Sequence, residues 1–342
     1  LTGGEKMPVL GNSENEIKRY NEFVRNSPYA RVSQDMNWEH VKKGWGAHYV
    51  YLEEKGEIVA ALSILYVNAV NDKKLFYANR GPVCDFYDVD LVERLLKEAE
   101  PVINKDKPFL LRLDPEVKYD ERLISEYKKR GYIFRSRETD SHAFVQPRFN
   151  MVLRLSGKTE ETLLSEFHPK TKYNIGLADR KGVKTHFVNA DEPEFLDAMD
   201  KFFNLTKIMA ERQGITHRPK DYFLRLFEAV PKSRIYLSTH EDEVLSAALS
   251  IPYNKKLFYM YGASSNNKRN LMPNYHMQWE MIKWALELGM DEYDFGGVFK
   301  LDESDGLYRF KNGFCKTEGY TEYIGELDLV FDHEAYEEYT SR

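Results

Sequence analysis

The chain has 342 residues, 42% of them hydrophobic and 30% charged, with a formal net charge of -6. That length exceeds what one hydrophobic core usually supports, so two domains are expected. The acidic balance excludes a generic nucleic-acid coat though not a local basic surface, and no apolar run approaches the ~18 residues of a membrane span.

Residues 1–6 precede Met7 and read as a cloning remnant, and no signal-peptide core follows. The first regular elements are three strands, Tyr49–Glu53, Ile58–Leu65 and Leu75–Ala78, rich in Tyr, Val, Ile and Leu and broken by turn residues. A helix over Val89–Glu100 follows, with Leu91, Leu95 and Leu96 at helical spacing, and then a strand at Phe109–Leu113. A domain boundary is expected near Gln146-Pro147, ahead of a strand at Asn150–Leu155. Helical periodicity then covers Glu160–Phe167, Lys170–Arg180 and Glu194–Gln213, and Tyr222–Val230 follows a proline. Strands at Ile235–Ser238, Val244–Ile251 and Leu257–Tyr261 lead into a helix over Tyr275–Leu288, marked by Met277, Met281, Trp284 and Ala285, and a strand at Glu292–Phe295. From Gly319 onward the tail reads as a strand and a short helix.

Two pentads occur twice in the same order, about half a chain apart. AALSI stands at Ala60–Ile64 and Ala247–Ile251, and KKLFY at Lys73–Tyr77 and Lys255–Tyr259. Both pairs fall in the same strand–strand–strand–helix–strand series. An ancient duplication explains this most simply, and the expected fold is α/β with two similar domains on mixed sheets. A ligand site is expected where such domains meet.

Negative evidence narrows the chemistry. There is no G-x-x-x-x-G-K-[ST] loop, no G-x-G-x-x-G fingerprint and no G-x-S-x-G elbow. The nine histidines and the two cysteines, Cys84 and Cys315, never fall at metal-ligand spacing, and two cysteines give no disulfide framework, which fits a reducing cytoplasm. No cofactor and no metal are expected.

Three segments stand out. Phe167–Val183 reads as a cationic helix carrying Lys170, Lys172, Arg180 and Lys181, with Lys184 just beyond. It suits phosphate contact, or equally a solvated face. In Gly214–Phe223, Arg218 stands immediately before Pro219 with Tyr222 one turn on. An arginine at a helix N-terminus opposes the dipole unless an anion sits there, or a surface carboxylate holds it. In Leu307–Phe314, which follows the pair Gly296-Gly297, Lys311 lies among aromatics. That context makes it a candidate for desolvation, or for snorkelling from an amphipathic helix.

These residues also carry a resemblance. MPVL at Met7–Leu10, SPYARVSQDMNWEHVKKGW at Ser27–Trp45, LRLDPEV at Leu111–Val117, QPRFNMVL at Gln146–Leu153, ITHRPKDYF, FYMYGAS at Phe258–Ser264 and FKNGF at Phe310–Phe314 resemble the FemABX family, most of all its short FemX type. The helix K-T-K-x-N-I-x-x-A-x-x-K-G-V at Lys170–Val183 is a hallmark of that family. The family consists of non-ribosomal peptidyl transferases that use aminoacyl-tRNA to build peptidoglycan side branches. The resemblance implies two tandem GNAT-like domains, residues 1–147 with 317–342 and residues 148–316. There is no room for the helical-hairpin arm of longer members. The [QR]-x-x-G-x-[GA] loop that binds CoA in ordinary GNAT enzymes is missing after either KKLFY copy.

The implied reaction moves an amino acid (glycine, alanine or serine) from aminoacyl-tRNA to the lysine side-chain amine of UDP-MurNAc-pentapeptide, or of its lipid-linked successor lipid II. The ester is already activated, so no ATP motif is needed. By the resemblance, Lys42, Arg218, Tyr222 and Tyr261, with Thr216, hold the nucleotide end of the acceptor. Asp114 orients or deprotonates the amine, whose proton costs roughly 4–5 kcal/mol to remove near neutrality. Lys311 stabilises the oxyanion, an interaction worth about 3–4 kcal/mol elsewhere, with Phe310 shaping the pocket. Lys170, Lys172, Arg180, Lys181 and Lys184 face the tRNA. A cytoplasmic monomer is expected. The competing readings are a tRNA-dependent ligase for lipid II or another small peptide, a conventional GNAT acyltransferase, and a silent RNA-binding module.

Overall fold

The computed structural model describes residues 9–11 and 13–341. Residues 1–6, and Met7 and Pro8 of the MPVL match, lie outside that range. Two compact units emerge, Leu1–Arg148 with Glu322–Arg342, and Phe149–Thr321. The first runs α1 (Glu14–Asn26), α2 (Trp38–Val41), β1 (Gly46–Glu54), β2 (Glu57–Val70), β3 (Lys73–Ala78), α3 (Val89–Ile103), β4 (Pro108–Leu113), α4 (Glu121–Lys129) and β5 (Ile133–Arg135). The second runs β6 (Phe149–Arg154), α5 (Glu160–Glu166), α6 (Pro169–Arg180), β7 (Lys184–Asn189), α7 (Phe195–Gln213), α8 (Lys220–Ala229), β8 (Arg234–His240), β9 (Glu243–Tyr253), β10 (Lys256–Ser264), α9 (Pro273–Glu287), β11 (Glu292–Val298) and α10 (Gly306–Phe314). The chain ends in β12 (Thr321–Glu322), β13 (Glu326–Val330) and α11 (His333–Thr340).

Local chemistry accounts for the hairpins. Lys55-Gly56, Asn71-Asp72 and Glu241-Asp242 each supply two consecutive residues with positive φ. That is the turn whose twist matches the strands it joins. Strand order is β1-β2-β3-β4-β13-β5 in one sheet and β12-β6-β11-β10-β9-β8-β7 in the other. In each sheet an antiparallel meander, β1-β2-β3 or β7-β8-β9-β10, leads into a parallel pair, β3–β4 or β10–β11, beyond which antiparallel strands continue the sheet. Helices α3 and α9 make the crossovers that a parallel pair requires.

The repeated pentads occupy matching places, AALSI within β2 and β9, and KKLFY in β3 and at the start of β10. Their registers differ. Phe76 pairs with Tyr66, whereas its counterpart Phe258 pairs with Ile251, the counterpart of Ile64. The slip is two residues, so each repeated side chain keeps its face. Val50, Leu62, Phe76, Leu95 and Leu111 lie fully buried in the first core. Leu153, Leu257, Met281, Tyr293 and Phe314 fill the second. The longest helix among the described residues is α7 with 19 residues, so the second unit carries no helical-hairpin arm.

Two helices of the second unit, α6 and α10, approach each other closely. The His168 ring Nδ1 accepts the Lys170 N–H at 3.1 Å, and Pro169 opens α6 with its φ already set. Thr171, Asn174, Ile175 and Ala178 form the buried face of α6. Against α10, the His168 N–H donates to the Gly313 carbonyl at 2.8 Å, and a Cβ at position 313 would overlap Thr171 Oγ1. Gly313→Ala is therefore expected to lower stability by about 1–3 kcal/mol, the usual cost of overpacking. Adding Thr171→Ala should restore most of it. Thermal melts of the single and double variants check this, and a neutral Gly313→Ala would refute the close approach.

Candidate active site

The parallel pair β10–β11 holds together for only three residues, Lys256↔Glu292 to Phe258↔Asp294. Just beyond, β10 bulges against β9 between Tyr259 and Tyr261, and β11 shifts against β6 between Asp294 and Gly297. Two irregularities at one level prise the strands apart, and bulges commonly stand beside binding sites. A cleft of about 740 Å³ opens there, at the C-terminal ends of parallel strands. Tyr259, Met260 and Tyr261 line it from β10, and Phe295, Gly296 and Gly297 from β11. Phe310 and Lys311 come from α10, and Met272 to Tyr275 from the start of α9.

Lys311 is the unusual group in this wall. It is 6% exposed, and its Nζ donates to the Gly297 carbonyl at 2.9 Å. Burial pushes the ammonium down to about 8, against an opposing pull from Asp294. Gly296 turns the chain beside it with φ +77°, a backbone that favours glycine. Asp305 caps α10 by accepting the Tyr308 N–H at 2.8 Å, which fixes the helix that presents the lysine. Phe310 packs edge-on against Tyr275, ring centroids 4.9 Å apart, and so forms part of the apolar lining.

The charged residues of the cleft wall are all cationic: Arg212, Arg269, Arg309 and Lys311. Arg212 is anchored, its Nη1 donating to the Ser264 carbonyl at 3.0 Å and to Asn266 Oδ1 at 2.6 Å. Arg309 Nη1 donates to the Glu303 carbonyl at 3.0 Å. Pro273 and Gly306 also bring the positive ends of α9 and α10 to the same wall. In an acidic protein such a one-signed wall suits a polyanion.

Of the residues grouped with Arg218 from sequence, Tyr222 and Tyr261 lie together with it in the second unit. The Arg218 guanidinium stands 5.3 Å from the ring centre of Tyr222, and the Tyr222 and Tyr261 hydroxyls meet at 3.0 Å. Burial, and then Tyr261, push the Tyr222 phenol up. Among the described residues no carboxylate pairs with Arg218, so the surface ion pair considered from sequence is not formed. Thr216 is exposed in the loop after α7. Tyr261 belongs both to this cluster and to the cleft, and so joins Arg218 and Tyr222 to Phe310 and Lys311.

Lys42 and Asp114 lie in the first unit. Lys42 caps α2, with its Nζ 5.9 Å from the Trp45 ring centre. Asp114 follows β4 and is 2% exposed. It accepts the Tyr77 hydroxyl at 2.7 Å and the Arg80 N–H at 2.6 Å. Burial pushes its carboxyl up, against the opposing charge of Arg80. On and after α6, Lys170, Lys172, Arg180, Lys181 and Lys184 are all exposed. Arg180 stands 5.7 Å from the Tyr173 ring centre, and Lys184 lies 3.8 Å from Asp179.

Sequence reasoning missed Arg212, Arg269 and Arg309, and the contacts of Tyr77 and Arg80 with Asp114. One signal was present: Tyr77 and Tyr259 end the two KKLFY copies, and Tyr259 lines the cleft while Tyr77 binds Asp114.

The FemAB family model matches residues 16–239 and 234–341. The chain belongs to the FemAB family. It is 41% identical over 340 residues to the UDP-N-acetylmuramoylpentapeptide-lysine N(6)-alanyltransferase of Weissella viridescens, covering 97% of this chain and 99% of that one. It is 26% identical to the Lipid II:glycine glycyltransferase of Staphylococcus epidermidis, covering 93% of this chain and 92% of that one. That second alignment runs to 393 positions, more than this chain contains, so the glycyltransferase carries segments missing here. Among solved structures, FemX matches with a TM-score of 0.82 at 24% identity, covering 95% of this chain and 98% of that one. A tandem GNAT protein from the clavulanic acid biosynthesis pathway matches at 0.57 and 9%, covering 94% and 97%. The FemAB member described here thus has the two-domain GNAT-like fold.

Lys311→Met separates chemistry from folding in this FemAB protein. Loss of the charge should cut turnover by about 10²–10³-fold. Stability should move the other way. The unfolded chain keeps this proton to about pH 10.5 and the folded chain only to about 8, so wild-type stability rises with pH between those values. The variant, with no proton to lose, should be up to roughly 3 kcal/mol more stable at pH 7, with the gap closing by about pH 10.5. Denaturant melts across pH test it, and a pH-independent difference would contradict the buried charge.

Proposed function

We propose that the protein transfers an amino acid from aminoacyl-tRNA to the lysine side-chain amine of UDP-MurNAc-pentapeptide, adding the first residue of a peptidoglycan cross-bridge. The observation that carries the reading is the buried Lys311 in a cationic cleft, on a chain that aligns end to end with the Weissella alanyltransferase. The amine nitrogen attacks the ester carbonyl, an oxyanion forms, and the carbon–oxygen bond to the ribose breaks. The amine proton ends on the released hydroxyl, so the products are an amide and an alcohol and no ATP is spent.

Each group has a separate task. Lys311 as an ammonium faces the oxyanion, where a preorganised cation in a low-dielectric wall is worth far more than in water. Asp114 orients the amine, with the ribose hydroxyl available to relay its proton. Lys42, Arg218, Tyr222 and Tyr261, with Thr216, hold the nucleotide end of the acceptor, where the Arg218 fork suits a diphosphate. Phe310 keeps the cleft dry. The exposed set on and after α6 (Lys170, Lys172, Arg180, Lys181 and Lys184) takes the acceptor stem of the tRNA, and the arginines of the cleft wall favour its 3′ end.

The similarity at 41% favours the soluble acceptor and alanine. The similarity at 26% keeps lipid II and glycine as the second reading. No helix among the described residues is long and apolar enough to cross a membrane. The protein would act as a monomer in the cytoplasm. A mass-spectrometric assay with UDP-MurNAc-pentapeptide, total tRNA, synthetases and all amino acids tests the proposal. A one-residue mass gain that RNase abolishes is expected, and its size identifies the amino acid. No gain on this acceptor would overturn the first reading, and a gain on lipid II alone would replace it with the second.

A further inference from the structure

Asp114 is not an isolated carboxylate. It lies just past the last residue of β4, where the parallel pairing with β3 ends at Ala78↔Leu113. From β3, the Tyr77 hydroxyl donates to Oδ2 at 2.7 Å. From the turn after β3, the Arg80 N–H donates to Oδ1 at 2.6 Å, and Arg80 Nη1 reaches the Asp114 carbonyl at 3.4 Å. Arg80 achieves both with φ +56°, a left-handed backbone that a non-glycine residue adopts only when its surroundings hold it there.

Charge continues outward through neighbouring side chains. Arg80 Nε is 3.7 Å from Glu116 and Arg31 Nε is 2.6 Å from it. The far face of Arg80 covers the Tyr323 ring at 5.3 Å. The groups facing Asp114 are therefore Tyr77, Arg80 and Glu116, with Arg31 and Tyr323 behind them, and the Glu326 carboxyl, which burial pushes up to about 7, acts on Tyr77 in every variant that keeps it. Each carboxylate oxygen accepts one hydrogen bond from the protein and keeps lone-pair capacity for one more.

We propose that Tyr77 and Arg80 are positioning residues that hold Asp114 in one orientation toward the acceptor ammonium and favour its ionised form against the effect of burial. The proposal rests on the aminoacyl-transfer reading for what Asp114 does, and adds which residues make it able to do so. A buried carboxyl without these donors would hold its proton, and a protonated Asp114 neither attracts an ammonium nor takes its proton. The arginine charge and the phenol donor oppose that outcome, and the left-handed turn puts a backbone N–H where no side chain is needed.

The test compares the pH dependence of kcat/KM in wild type, Tyr77→Phe, Arg80→Gly and Asp114→Asn. Glycine at position 80 keeps the left-handed turn and its N–H while removing the guanidinium. Tyr77→Phe and Arg80→Gly should each move the acid limb upward by about one pH unit, with activity recovering toward wild type on the alkaline side. Asp114→Asn should lose the limb altogether. A uniform loss at every pH with an unmoved limb would mean that the two residues only support the fold, and would overturn the proposal. So would persistence of the limb in Asp114→Asn. Calorimetric binding of UDP-MurNAc-pentapeptide over the same pH range needs no donor. Acceptor binding that follows these shifts without any transfer would refute the transfer reading yet sustain the proposal, and unshifted binding would overturn the proposal alone. If Arg80→Gly melts early, Tyr77→Phe, which removes one oxygen, still decides.

Discussion

A lysine ammonium buried in a cleft wall is the constraint on which the second unit depends. Burying such a charge without compensation is costly, and proteins usually neutralise the group or pair it. Here the compensation is one carbonyl, that of Gly297 at 2.9 Å, together with the more distant pull of Asp294. The local architecture makes that contact possible. Gly296 turns the chain with positive φ just before the Gly297 carbonyl, while Asp305 starts the helix at the register that aims Lys311 inward. An ammonium satisfied by a single strong acceptor keeps donors for a second, and a developing oxyanion is the partner that would complete it.

The duplication explains how one scaffold came to hold two different kinds of site. In each unit the interest lies at the C-terminal end of a parallel strand pair. In the second, β10 and β11 part after three paired residues and the gap becomes the cationic cleft. In the first, β3 and β4 stay paired to their ends, and the residues just beyond form a charged cluster around Asp114. The tyrosine that ends each KKLFY copy faces the site in both. Equivalent positions thus serve a carboxylate in one unit and line a cationic wall in the other. The two-residue register slip between the copies let the hairpins diverge in length without turning any core side chain outward.

Much of this is legible in the letters. Alternating Val, Ile and Tyr marked β1, β2 and β8 to β10, and the spacing of Met277, Met281 and Trp284 marked α9, because half-buried elements must repeat their apolar residues with their own period. Lys311 was legible as unusual because aromatics flank it on an amphipathic helix. Its partner was not: the Gly297 carbonyl is a backbone atom on another element, and no side-chain pattern announces it. Arg269 and Arg309 share the cleft because the folded chain gathers their separate elements around a gap, and that gap arises from two bulges that carry no letter of their own. Tyr77 and Asp114 meet across a parallel pair whose crossover helix separates them in sequence. The FemAB resemblance named Lys42, Arg218 and Asp114 residue by residue, while the geometry added why Arg218 is available: a tyrosine ring, not a carboxylate, is its neighbour.

The most direct measurement is an NMR titration of the Lys311 side chain in protein carrying 13C-labelled lysine, with Lys311→Met assigning its resonance. The account predicts a midpoint near 8, lower than that of the exposed lysines. A Lys311 that titrates with them near 10.4 would show a solvated ammonium and contradict the claim that the cleft holds a desolvated cation ready for an oxyanion.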